Sequence, residues 1–385
     1  MAEDLQKRYD ERVERFLVTA NMNEPDRVPI LSQVQTWAIS QAGYKFEDLL
    51  ENYELEAQIY TKANDGYYYD GCFIAGINHL VNIGIELGSH TFFISPNAVT
   101  LQHKESSSMK EDEYDEFIAD PMRFFADKIA VRKVKAFQQD DEEAVYKDLE
   151  RLFDKAAQIR QLALVGPAFR ERIGLPIVTS VSIAHPMDNF FDFVRGFIPT
   201  MTDMRRRPEK VAAALNAITP FYERSIPSSP VAPFPWTVDT HHIATFLTKE
   251  LFERFYWPFY QKTVEGCFNA GTKMVSYFEG PWVQHYDLLD DLPKASIVAA
   301  VDPQDIEGFK KRFGGKQAFF GGLPMSMVKY NSVAECIEQA KKVLDIAAPG
   351  GGYIFSFEQG LLSPNDVNAD TLREVNRYVA ENAVY

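Results

Sequence analysis

The residues of this chain that could do chemistry stand at the ends of apolar runs. PWTVD closes on Asp239 and is followed by Thr240, His241 and His242. KMVSYFE closes on Glu279, SIVAAVD on Asp302, and GYIFSFE on Glu358 with Gln359 beside it. SVSIA ends at His185, with Asp188 just beyond. Carboxylates and imidazoles give and take protons near neutral pH. They are also oxygen and nitrogen donors for zinc and other divalent ions. One polar group at a strand end is ordinary, because strands turn polar where they reach solvent. Repetition along one edge is what points to a shared site.

His241 and His242 are neighbours, so in extended backbone they point opposite ways and only one of them faces the site. His242 and Glu279 form the expected acid/base pair, or the two ligands of a zinc ion, and Asp239 is the third catalytic candidate. His185, His241, Tyr277, Asp302, Glu358 and Gln359 are the candidates for holding substrate. His285 follows Glu279 closely and is read either as a member of the same loop or as a solvated histidine. No HxH, HExxH or HxC spacing marks a metal site, and there is no GxGxxG after a strand, no GxxxxGK[ST] and no GxSxG. Nucleotide-cofactor and serine-hydrolase readings are therefore unsupported.

The elements that must position these groups alternate. Strand candidates fall at 162–166, 176–183, 235–240, 272–280, 295–302, 316–324 and 351–360, separated by amphipathic helical stretches such as TKELFERFYWPFYQKTVEGCFNAG and SVAECIEQAKKVLDIAAPGG. Thr248 is placed to cap the first of these helices, and Pro349-Gly350 to end the second. Strands alternating with helices imply a parallel sheet. In a (β/α)8 TIM barrel the C-terminal strand ends converge on one cavity, which is where the polar groups above fall. The reading is one α/β barrel domain over residues 1–385, with residues 1–60 as a helical and loop extension packed on it. SSSMKEDEYDEF (106–117) reads as a surface loop followed by a capped acidic helix. ERFYWPFY (253–260) reads as a helix packing the barrel exterior, and the Tyr67–Tyr69 run stays open between pocket and core.

Composition narrows the class. Hydrophobic residues make up 46% and charged residues 25%, ordinary for a globular chain of 385 residues. No apolar run nears the roughly 20 residues that span a bilayer. MAEDLQKRYDERVERF is a charged helical pattern rather than a signal peptide. Cys72, Cys267 and Cys336 stand far apart, which argues for a reducing compartment and a cytoplasmic location. The formal net charge of −15 opposes a phosphate backbone, so nucleic acid is not an expected partner.

Order and spacing over most of the chain resemble the uroporphyrinogen decarboxylase superfamily, which includes corrinoid (cobalamin)-dependent methyltransferases. The resemblance is carried by EPDRVPI (24–30), SQAGY (40–44), a strand with Asp70, SIAHPMDNFF followed by MRRRPEKV, VDTHHIATFLTKELFERFYWPFY, VSYFEGPW, AFFGGLP and GGYIFSFEQGLLSPNDVNADTLREVNRYV. True decarboxylases resemble RQAGR where this chain has Ser40 and Tyr44 at the two ends. They carry an aspartate where Ile77 or Asn78 falls, and a histidine where Gln359 stands. The thiol-methylating branch has a His and a Cys where Tyr277 and Glu279 fall, and its last cysteine is Gln359 here. These departures remove the anion-binding groups of the decarboxylase and the thiolates of the zinc branch. The resemblance then implies an O-demethylase-type methyltransferase, taking a methyl group from a small O-methyl or N-methyl donor to the Co(I) corrinoid of a partner protein. An aryl methyl ether is one such donor, and a homodimer is a further expectation. The competing readings are a lyase that decarboxylates another carboxylated substrate, and a non-catalytic barrel.

Overall fold

The computed structural model describes residues 2–385 apart from 51, 75, 78, 90, 97–99, 105, 139, 162, 163, 180, 231–233 and 235. Among the described residues, eight parallel strands carry the fold. They are β1 (Leu31–Ser32), β2 (Gly71–Cys72), β3 (Val181–Ser182), β4 (Trp236–His241), β5 (Lys273–Phe278), β6 (Ile297–Val301), β7 (Ala318–Leu323) and β8 (Tyr353–Phe357). Strands β3 to β8 form one continuous parallel sheet in chain order, and β1 and β2 pair as a second sheet. Isolated parallel bridges run from Ile30 to Phe355 of β8 on one side, and from Cys72 of β2 to Ile177 on the chain leading into β3 on the other. The architecture is the TIM barrel, with ladder pairing weakest on either side of β1 and β2. The expected 1–60 extension is thus only partly an extension. It supplies β1, which the sequence conceals because a strand of two residues shows no periodicity.

Register sorts the side chains into two layers. Val238 pairs with Val275, Val275 with Val298, and Val298 with Ala318, and all four belong to the cluster that fills the barrel. The neighbouring row, Asp239, Ser276, Ala299 and Phe319, faces the opposite way, towards the helices. The Tyr260 hydroxyl, on the helix Trp257–Asn269, meets the Ser276 hydroxyl at 2.8 Å and confirms the direction. The N-terminal helix Ala2–Ala20 closes the bottom of the barrel. Its Phe16 is fully buried and lies edge-on to Phe234 and Trp236, with centroids 6.0 Å away in each case.

Of the expected strands, 272–280, 295–302 and 316–324 appear one or two residues shorter at each end, 235–240 appears as Trp236–His241, 351–360 as Tyr353–Phe357, and 176–183 keeps only Val181–Ser182. The exception is 162–166. Residues 162 and 163 lie outside the described residues, and Val165 opens the helix Val165–Ile173. A five-residue apolar run does not by itself separate a strand from the start of a buried helix. Thr248 caps its helix by accepting from Leu251 N–H, as expected. The acidic helix Tyr114–Ala119 is not merely superficial, because Tyr114 and Phe117 are buried under it. Tyr67 and Tyr69 are buried and stacked on one another with centroids 6.1 Å apart, while Tyr68 between them is exposed and Tyr67 also borders a cavity with Trp37 and Arg373.

One carboxylate holds the bottom of the barrel together. Asp70, just before β2 and fully buried, accepts from Arg15 at 2.8 Å, from Arg27 at 2.6 and 2.8 Å, and from Ile30 N–H at 2.9 Å. These bonds tie the closing helix, the chain entering β1 and the chain entering β2 to one point. Removing one partner of a buried pair strands the others without compensation. Asp70→Ala is therefore expected to lose about 3–5 kcal/mol of stability in denaturant unfolding.

Candidate active site

The lumen-facing row continues upward as Thr240, Tyr277, Ala300, Phe320 and Ile354, paired in that order across β4 to β8. Two residues beyond Tyr277 and Ala300 come Glu279 and Asp302, and two beyond Ser356 comes Glu358. Strand alternation alone puts these three carboxyls at the C-terminal mouth. They line a cavity of about 390 Å³ with Tyr277 and Gln359, and none of its described lining residues is Lys or Arg. Gly280 has φ +82°, and a Cβ there would lie 2.9 Å from Thr245 Oγ1, so the turn that releases Glu279 from β5 needs glycine.

The floor is set by Tyr277, whose hydroxyl donates to Gln33 Oε1 at 2.8 Å. Gln33 is held in turn by donating to Ser356 Oγ at 3.0 Å and the Phe357 carbonyl at 2.7 Å. Glu358 accepts from Met325 N–H with both oxygens, at 3.2 and 3.1 Å. Burial raises its carboxyl above the ordinary range; the Met325 N–H pulls the other way, and the charge of Asp302 adds to the rise.

At the lip, His242 Nδ1 lies 2.7 Å from Glu279 Oε2, and its Nε2 lies 4.0 Å from Asp192 Oδ2. Burial works to lower the imidazole, but the hydrogen bond and charge of Glu279, with Asp188 and Asp192, raise it to about 9. His242 is therefore a cation at neutral pH with a proton available at Nε2. Among the described residues, no group of three or more His, Cys, Asp or Glu side chains is arranged to hold a metal ion. The expected zinc donors, His242 and Glu279, are spent on each other, and this donor set suits a shared proton better than a zinc ion.

The structure does not bring Asp239, His241 or His185 into the cavity. Asp239 and His241 occupy the helix-facing row of β4, because they sit one residue out of phase with Val238 and Thr240. Burial raises the Asp239 carboxyl, helped by the charge of Asp188. His241 is fully buried, with Nδ1 2.7 Å from the Tyr256 hydroxyl. His185 is also fully buried, stacked on the Tyr256 ring at 3.7 Å; its Nδ1 accepts from Met187 N–H, and its Nε2 donates to the Tyr256 carbonyl. Burial lowers it to about 3, so it stays neutral. His285 is neither solvated nor in the site: it is buried, stacked on Phe252 at 3.8 Å. Tyr277, Glu279, Asp302, Glu358 and Gln359 do line the cavity, and His242 stands beside it on Glu279. Gln33, Asp188, Asp192 and Tyr256 complete the surroundings. The first went unread because β1 shows no strand pattern, and Tyr256 because its helix reads as exterior packing. Asn78 lies outside the described residues, while Ile77 is buried with its N–H on Glu56.

Comparison with known proteins follows the same lines. Residues 169–380 match the family Uroporphyrinogen decarboxylase (URO-D). A solved structure, a methyltransferase from Methanosarcina mazei, superposes with a TM-score of 0.64 at 12% identity, covering 96% of this chain and 98% of that chain. At that identity the likeness establishes the fold. No curated protein sequence matches the chain.

A group whose folded pKa is raised contributes stability below its unfolded value and loses it as pH rises through the folded one. For His242 the window runs from 6.5 to about 9. Glu279→Gln removes the hydrogen-bonded charge and leaves burial less opposed. The difference in unfolding free energy between wild type and Glu279→Gln is expected to be larger at about pH 6 than at about pH 10, measured by urea titration.

Proposed function

The chain belongs to the uroporphyrinogen decarboxylase family, and from that premise we propose that it is a methyltransferase, passing a methyl group from a small O-methyl or N-methyl donor to the Co(I) corrinoid of a partner protein. The observation that carries this reading is His242 Nδ1 held 2.7 Å from Glu279 Oε2 at the lip of a cavity whose described lining has three carboxyls and no Lys or Arg. The structurally similar M. mazei chain is a methyltransferase, which makes methyl transfer the first activity to test.

The partner's corrinoid supplies the nucleophile that takes the methyl carbon. What this chain must supply is a better leaving group and a fixed donor. As the carbon–oxygen bond breaks, its electron pair stays on oxygen, and His242 delivers the Nε2 proton to that oxygen. Glu279 keeps the ring protonated beforehand and oriented during the step. For an N-methyl donor the same electron pair stays on nitrogen and a neutral amine leaves. Tyr277, fixed by Gln33, forms the floor on which the donor rests, and Glu358 and Gln359 orient it from the β8 side. Asp239 takes no part at the reacting atoms. The loops after β4, β5 and β8 leave Phe246, Val283 and Leu362 exposed, an apolar rim suited to a docking protein at the mouth.

The lyase reading fares worse on charge. A carboxylated substrate would meet Glu279, Asp302 and Glu358 with no Lys or Arg among the described lining residues, and His242 at the lip is already paired with Glu279. The test is to mix the protein anaerobically with a Co(I) corrinoid carrier and a panel of methoxyarenes and methylamines, following loss of the Co(I) absorbance. Enzyme-dependent loss with one donor is the expected result; none with any donor on a competent carrier sinks the proposal. In the same assay Glu279→Gln is expected to lower turnover by about 100-fold or more with its circular dichroism unchanged.

A further inference from the structure

The exposed His242–Glu279 pair raises a physical question. Their side chains are 38% and 45% accessible, and an ion pair that exposed is held weakly, because fixing two mobile side chains costs nearly what the attraction returns. Yet the contact is short, at 2.7 Å. Something behind the pair must remove part of that freedom in advance.

We infer that Asp188 is the positioning residue of the His242–Glu279 pair, acting from the helix-facing side of β4. Asp188 is buried in the short helix Pro186–Asn189. Its Oδ1 accepts from His242 N–H at 3.0 Å and from Ile243 N–H at 2.7 Å. Its Oδ2 accepts from the Tyr256 hydroxyl at 2.5 Å, and the Tyr256 hydroxyl oxygen lies 2.7 Å from His241 Nδ1. Tyr256 is itself clamped between the stacked His185 ring and the ring of Phe252, 5.1 Å away. The two N–H groups that Asp188 holds are the first two past the end of β4, so they set the angle at which His242 leaves the strand. With that angle fixed, only the His242 side-chain torsions remain to be ordered. The charged groups facing the ring are Glu279 and Asp192, and Asp188 adds a third carboxyl behind the backbone. The polar cluster on the far side of β4, including His241, thus serves the mouth without entering it. This role rests on the pair being the proton donor proposed above, but the geometry can be read without any reaction.

The measurement is proton NMR of protein carrying ¹⁵N-histidine. The hydrogen-bonded Nδ1 proton of His242 should give a downfield signal, assigned by its loss in Glu279→Gln. Asp188→Ala is expected to lose that signal, and Asp188→Asn to keep it, because the amide oxygen still accepts both N–H groups. A folded Asp188→Ala with the signal intact would mean the pair positions itself, and the inference fails. Should Asp188→Ala not fold, Tyr256→Phe decides: the signal's solvent exchange is expected to quicken by about tenfold, the worth of one hydrogen bond, and unchanged exchange overturns the role. A purely structural residue would lower the melting temperature and leave the signal in place. If wild type reacts with no methyl donor while the signal behaves as expected, the methyl-transfer reading fails and this one stands.

Discussion

Adjacent residues of a barrel strand face opposite layers, one the lumen and the other the helices, and the whole molecule is arranged around that alternation. The register Val238–Val275–Val298–Ala318 fills the barrel, and the same period carries Glu279 and Asp302 to its mouth. One residue out of phase, a carboxylate or histidine of the same strand end becomes part of the outer layer. Asp239, inside β4 and paired with Ser276, is buried behind the sheet, whereas Glu279, past the end of β5 and in phase with Tyr277, is open to solvent.

The two ends of the barrel use charge in different ways. At the bottom, Asp70 is buried and fully satisfied by Arg15, Arg27 and the Ile30 N–H, so its charge joins three chain segments. At the mouth, Glu279, Asp302 and Glu358 share a cavity with no Lys or Arg among its described lining residues, and His242 stands against them at the lip. A compensated charge adds rigidity, whereas an uncompensated set creates a field that acts on whatever enters. That contrast is the usual division of a TIM barrel into a stabilising end and a reactive end.

Between them lies a polar layer that neither end accounts for. Asp188, Tyr256, His241 and His185 are buried, linked and mostly neutral, in a position where aliphatic side chains would pack as well. Burial keeps His185 and His241 uncharged, while Asp188, raised to about 7 by burial, is eased by the Ile243 N–H, the Tyr256 hydroxyl and the His242 charge. His241 Nε2 has no partner in this cluster, but the bonds made at Asp188 and Tyr256 favour one arrangement over near alternatives. Here the arrangement favoured is the exit of the chain from β4.

The sequence by itself determined the class of fold, most of its strands and the edge at which chemistry gathers, because hydrophobic period and strand-end polarity are local properties. It also determined that His241 and His242 part company, since neighbours in extended backbone must. What it left undecided was phase: whether Asp239 or Thr240 looks inward depends on where β5 pairs with β4, a contact between segments more than thirty residues apart. The same holds for β1 and Gln33, which gain meaning only from pairing with β2 and β8, and for Asp188, whose partners come from the chain just past β4 and from Tyr256 between the helices Lys249–Phe255 and Trp257–Asn269. Only the tertiary structure settled these, because a side chain's direction in a sheet is fixed by its neighbours' register rather than by its own residue type.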